Sequence, residues 1–189
     1  MKLLQEKVLS HSIQLLIACE RVGPAQDGNC HTMRGFEMPG LVQSLIHTWF
    51  LDELQQKLQV PFLAIGDGGN ELGMGKVLDK IHANEKIKNE IACVVPADYL
   101  IAASVSNWGG YALAAGAAVV RSSNTGESRD EWVAKCLPTR QQEIDLLDRC
   151  VLAGCRDGVS GEMEATVDGM PLERSLQCLE DLRQAALGN

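Results

Sequence analysis

The sequence predicts an α/β fold: a single domain with a mostly parallel sheet and helices on both faces. Three observations carry this. Apolar runs of strand length recur along the 189 residues, stretches of helical period separate them, and glycine-rich turns follow two of them. Strands that alternate with helices pack as a parallel sheet, because each crossover helix covers a sheet face.

The first run, Ile13 to Cys19 (IQLLIAC), reads as a buried strand ending at the charged pair Glu20-Arg21. Residues 22–40 are rich in Gly, Pro, Asp and Asn and lack periodicity. That marks a long loop, and long ordered loops in compact domains are usually functional. Leu41, Leu45, Ile46, Trp49, Phe50 and Leu54 then recur at helical spacing and predict a helix over 41–58. Pro61 to Ile65 (PFLAI) is a second strand, followed at once by GDGGNELGMG and a helix to about His82. Ile91 to Val95 is a third strand closed by Pro96, whereas Tyr99 to Ser104 fits either strand or helix.

The small residues of GGYALAAGAAVV suit a helix lying close against a sheet, and residues 122–130 (SSNTGESRD) read as a polar surface loop. Thr139 with Gln142 makes a capping box ahead of a helix carrying Ile144, Leu147 and Val151. Residues 158–169 are broken by turns, with an edge strand over 164–167, and Pro171 opens a last amphipathic helix. The whole is a Rossmann-like three-layer arrangement without internal repeat, low-complexity tract or interdomain linker.

Composition bounds the function. The apolar share is 46% and the charged share 22%, close to the globular average, so the chain can bury a core. Aromatics are only 4%, which leaves Leu, Ile, Val and Ala to fill it. Seventeen basic against 25 acidic residues give a net charge of -8, without a Lys/Arg cluster. Nucleic acid is excluded as a partner, because phosphate neutralisation supplies most non-specific affinity. The longest weakly polar stretch, Tyr111 to Val120, is half of a spanning helix, so no membrane partner is expected. Seven Cys without a CxxC pair indicate a reducing compartment rather than a disulfide scaffold.

Ligands in open α/β sheets bind beyond the carboxyl ends of the strands, and three motifs fall there. In GDGGNELGMG the glycines allow positive φ and close backbone approach, and the helix start favours an anion. Asp67 and Glu71 argue against a bare phosphate cradle; two acids suit an ammonium group, acid/base work or a divalent metal such as Mg2+. A turn cap would account for one acid, not for four glycines with Asn70. In Ser106-Asn107-Trp108-Gly109-Gly110, an ordinary N-cap with a core indole and a shaped pocket oriented by Asn107 weigh evenly. In the 20–35 loop, Arg21 and Arg34 are the natural contacts for a carboxylate, against the bland alternative of a Glu20–Arg21 surface pair. Cys30-His31 and Cys150/Cys155 lack zinc spacing, so no structural metal site is expected.

The blocks ERVGPAQDG with MRG, IGDGGNELGMG and SNWGGYALA resemble, in order, the signature blocks of the D-glutamate cyclase C-terminal domain family. The resemblance runs from about Ile13 to the last helix. It implies a lyase of D-amino acid metabolism that converts D-glutamate to 5-oxo-D-proline with loss of water, in the mitochondrial matrix in animals. It further implies Asp67 and Glu71 in proton transfer or ammonium binding. Glu20, Arg21, Arg34, Gly68, Gly69, Asn70, Ser106, Asn107 and Trp108 would bind the substrate, with no organic cofactor. Animal members carry an N-terminal domain that this chain lacks, and this chain reads as truncated upstream, so it is expected to act with that domain; homo-oligomerisation stays open. Two rivals use the same residues. One is a non-catalytic ligand-binding or regulatory domain for an acidic amino acid. The other is an Mg-dependent phosphatase with a GDGxND-type turn, whose DxDx(T/V) nucleophile motif is missing from this chain.

Overall fold

The computed structural model describes residues 13–38 and 59–188. The helix expected over 41–58 lies outside the described residues. The chain gathers into two compact units, residues 1–106 and 107–189.

The first unit is built on three parallel strands in the order β1-β2-β3: β1 (Leu16–Cys19), β2 (Phe62–Gly66) and β3 (Tyr99–Ala102). Leu16 aligns with Phe62 and Ala18 with Ala64, while Ala64 aligns with Leu100. These residues share one sheet face, as the two-residue period of a strand requires. That face packs on Leu72, Met74, Ile81, Ala92, Cys93 and Ala97. The helix α1 (Leu78–His82), entered through a 3-10 turn at Gly75–Val77, supplies Ile81 to this core. Phe62 is 2% exposed, and full burial of a side chain of that size stabilises by about 2–3 kcal/mol. On the other face Ile17, Leu63 and Tyr99 line up across the strands, with Ile17 53% and Tyr99 59% exposed.

One expected strand is absent. Ile91 to Val95 is not in the sheet: a 3-10 turn spans Asn89–Ile91, and the following backbone bonds to loops. Cys93 N donates to Gly69 O, Val94 N to Pro24 O, and Gly73 N to Val95 O. The run is apolar because Ile91, Ala92 and Cys93 are core residues, 1%, 1% and 0% exposed. Apolarity reports burial; it does not say which backbone is the partner. The ambiguous segment Tyr99 to Ser104 supplies β3 instead.

The second unit is helical. Its elements are α2 (Ser106–Thr125, starting on the last residue of the first unit), α3 (Arg129–Cys136), α4 (Arg140–Leu152) and α5 (Leu172–Leu187). The polar stretch 122–130 is shorter as a loop than expected, because α2 runs to Thr125 and Ser128 caps α3 by accepting from Glu131 N. The capping box at Thr139 and Gln142 forms as the sequence requires. Ala115, Ala118, Val133, Leu137, Leu179 and Ala186 make the core. The edge strand expected over 164–167 reduces to a single bridge between Val167 and Met170. All seven thiols are free, and burial pushes that of Cys93 up to about 11. Among the described residues no helix is long and apolar enough to cross a membrane.

Candidate functional site

The three parallel strands end on the same edge, and a polar residue of interest follows each. Glu20 comes directly after β1, Asp67 directly after β2, and Ser106 a short turn after β3. Glu20 N donates to Ile65 O at 3.0 Å, and Ala103 N to Gly66 O at 3.0 Å, so the strand ends remain tied where the ladder stops. Glu20 adopts φ +51°, a left-handed conformation that costs a non-glycine residue roughly 1–2 kcal/mol. Such strain is retained where the surroundings hold it, and binding sites are where it concentrates.

The glycine turn is closed by its own acid. Glu71 Oε1 accepts from Gly68 N at 2.8 Å and Asp67 N at 3.2 Å, while Oε2 accepts from Gly69 N at 2.8 Å. Glu71 is 4% exposed, and burial raises its pKa against the lowering effect of these N–H groups. The turn must be glycine-rich to do this. A Cβ on Gly66 would stand 3.0 Å from Glu71 Oε2, and Gly69 has φ +99°. The convergent N–H groups that would cradle a phosphate in other glycine-rich turns are filled here by a side chain of the turn itself.

Asp67 faces outward from that clasp. Its Oδ2 accepts from Ser106 N at 2.8 Å, at the amino end of α2. A carboxylate oxygen of Glu20 lies within 4.8 Å of one of Asp67. The sequence pairs Asp67 with Glu71; in the structure both Glu71 oxygens are taken by backbone N–H groups, and a Glu20 carboxylate oxygen lies near that of Asp67. Any metal at Asp67 would therefore find its second carboxylate in Glu20 rather than in Glu71.

The 20–38 loop is ordered around the turn. Leu72 N donates to Arg21 O at 2.7 Å, Gly23 N to Asn70 O at 2.9 Å, and the buried Asn70 donates from Nδ2 to His31 O at 2.8 Å. Asn70 is thus engaged in holding the loop. Arg21 and Arg34 are both exposed, and Arg34 O accepts from Lys88 Nζ. Asn107 and Trp108 belong to the second unit, where Trp108 Nε1 donates to the buried Ser175 Oγ at 3.0 Å. Sequence reasoning missed Asp27 and His31, whose side chains bond at 2.9 Å. Their i, i+4 spacing beside Gly28 was the available signal. It also missed that His31 Nδ1 and Ser106 Oγ are buried without a hydrogen-bond partner.

These features define a class: a parallel α/β protein with acidic groups gathered at the carboxyl ends of its strands. The chain belongs to the D-glutamate cyclase-like, C-terminal family, whose profile matches residues 2–183. A curated relative, the mitochondrial D-glutamate cyclase of Homo sapiens, is 35% identical over 175 residues. That alignment covers 85% of this chain and 28% of the human protein, so the chain spans under a third of the relative's length.

Proposed function

We propose that this chain binds D-glutamate at the carboxyl edge of its sheet and cyclises it to 5-oxo-D-proline with loss of water. The observation that carries the reading is the Glu20–Asp67 pair beside Ser106, with the family membership supplying the substrate. Two carboxylates within 4.8 Å of each other suit a substrate ammonium. Cyclisation needs that group neutral, so that its nitrogen can attack the γ-carboxyl carbon. Asp67 takes the proton in this scheme, and the departing hydroxide leaves as water. A substrate bent by contacts at both ends presents the amine to the carboxyl at high effective concentration. The exposed guanidinium groups of Arg21 and Arg34 are the carboxylate contacts. Gly68 and Gly69 shape the turn, Asn70 holds the loop, and Glu71 fixes the direction of Asp67 by clasping the backbone on either side.

The phosphatase reading loses support, because the turn's N–H groups are already bound to Glu71. In the longer relative the remaining sequence is available to act with this part, and the relative's mitochondrial name supports a matrix location for the present chain as part of the same proposal. The test is incubation of the chain with D-glutamate and, separately, L-glutamate, following 5-oxoproline by mass spectrometry. D-specific product that falls by a hundredfold or more in Asp67→Asn supports catalysis here, general acid–base groups being worth about 10²–10⁴ in rate. Thermal stabilisation by D-glutamate without product makes the chain a binding domain whose catalytic partner lies elsewhere. Activity that EDTA abolishes and Mg2+ restores would turn the Glu20–Asp67 pair into a cation site.

A further inference from the structure

We propose that Met33 is a modification site: its thioether latches the turn at residues 31–37 onto Gly68, and oxidation to the sulfoxide by a peroxide opens that latch. The inference does not depend on which substrate the chain takes.

The 31–37 segment is a folded turn. His31 and Glu37 bridge its base, Thr32 N donates to Phe36 O at 2.8 Å, and Gly35 N donates to Thr32 O at 2.9 Å. Two polar contacts tie it to its surroundings. Asn70 Nδ2 donates to His31 O at 2.8 Å, and Lys88 Nζ to Arg34 O at 2.9 Å. Met33 adds an apolar one. A Cβ built on Gly68 would stand 2.6 Å from Met33 Sδ and 3.0 Å from its Cε. Real Cβ atoms do not come so close to sulfur, so the bare face of Gly68 is the socket that the thioether fills. The same Cβ would stand 3.2 Å from Glu71 Oε1, so the sulfur and that carboxylate flank one point of the glycine turn.

Met33 is also 48% exposed, which puts it within reach of a small oxidant, whereas Met74 is 5% exposed. Hydrogen peroxide breaks its O–O bond, passes one oxygen to the sulfur with two-electron oxidation of the thioether, and leaves as water. The product is polar where the thioether was apolar. Its new oxygen is an acceptor set beside the Glu71 carboxylate. The Gly68 N–H that could meet it already donates to Glu71 Oε1 at 2.8 Å. An unmet acceptor next to an anion favours release of the turn. Met163, 49% exposed in the second unit, is an equally exposed methionine for comparison.

The experiment treats the full chain with hydrogen peroxide, maps each methionine sulfoxide by mass spectrometry and follows limited trypsin cleavage after Arg34. Cleavage there should rise about tenfold on oxidation, because proteolysis tracks the population of the open turn. It should fall back after treatment with methionine sulfoxide reductases. Met33→Leu keeps the apolar volume and retains Met38, so peroxide should leave its cleavage unchanged. Met163→Leu should respond as the wild type does.

Resistance of Met33 to peroxide that oxidises Met163 overturns the proposal. So does sulfoxide at Met33 without faster cleavage, a rise that persists in Met33→Leu, or a rise that the reductases fail to reverse. If leucine does not hold the turn even before oxidation, reversal in the wild type decides alone. If the turn opens while D-glutamate affinity stays the same, the latch stands and the role of Arg34 as a carboxylate contact falls.

Discussion

Two carboxylates organise two glycine-containing turns in this molecule by the same local means. In the first unit Glu71 collects the N–H groups of Asp67, Gly68 and Gly69. In the second unit Asp157 collects those of Val159, Ser160 and Gly169, together with the Thr166 hydroxyl. Yet they titrate in opposite directions. At Glu71 burial outweighs the N–H groups and the pKa rises. At Asp157 burial also pushes upward, but the bonds from Gly169, Ser160, Thr166 and Val159 win and bring it down to about 2. Asp157 has four donors against three for Glu71. Glu71 closes a turn set against the sheet and bridged to Val22, whereas Asp157 bonds Val159, Ser160, Thr166 and Gly169 of its own loop.

The largest expected effect is on stability. In Glu71→Gln one oxygen becomes an NH2 group that must face a backbone N–H, leaving buried donors opposed. A loss of about 3 kcal/mol is expected, at the upper end for an unsatisfied buried group. Asp157→Asn meets the same chemistry with all its partners in its own loop and should cost about 1 kcal/mol. Chemical denaturation of both variants measures the difference. Equal losses would break the distinction between the two turns.

A smaller effect is the pH dependence, and here the signs differ. Asp157 has a depressed folded pKa, so its contribution is present above the unfolded value near 3.8 and lost as pH falls through about 2. Glu71 has a raised folded pKa, so its contribution is complete below the unfolded value near 4.5 and lost as pH rises through the folded one. The stability gap between wild type and Asp157→Asn should therefore shrink on acidification from pH 4 to pH 2. The gap between wild type and Glu71→Gln should instead stay level over that range and shrink as pH rises above about 4.5. Parallel pH profiles for the two gaps would show that burial does not separate these sites.

Much of this was legible in the sequence, and the failures have physical causes. β1, β2 and the glycine turn between a strand and a helix followed from apolar runs and punctuation. The capped helix at Thr139 followed from local chemistry alone. Ile91 to Val95 misled because buried coil and buried strand are equally apolar; only the long-range partners Gly69, Pro24 and Gly73 decide. For the candidate site, strand ends and glycines pointed to Asp67 and Glu71, while Glu20 and Ser106 entered the expected binding set through the family resemblance. What the sequence could not supply was which acid faces which. That depends on Glu71 folding back over two to four residues while Glu20 reaches across from a neighbouring strand. An orphaned hydroxyl such as that of Ser106 is equally invisible, because it is defined by the absence of partners in three dimensions.

The smallest expected effect concerns the glycines of the two turns. Gly69 has φ +99°, and a Cβ there would also stand 3.3 Å from Ile81, so Gly69→Ala should be destabilising on conformation alone. Gly158 has no positive φ, and a Cβ built on it meets nothing within 4 Å. Alanine at that position restricts the unfolded chain without straining the folded one, and should stabilise by about 0.4–1 kcal/mol. The two substitutions add the same methyl group beside the same kind of acid-centred turn and are expected to differ in sign. If Gly158→Ala also destabilises, the Asp157 turn is as conformationally constrained as the Glu71 turn. The contrast between them would then reduce to the depth of burial.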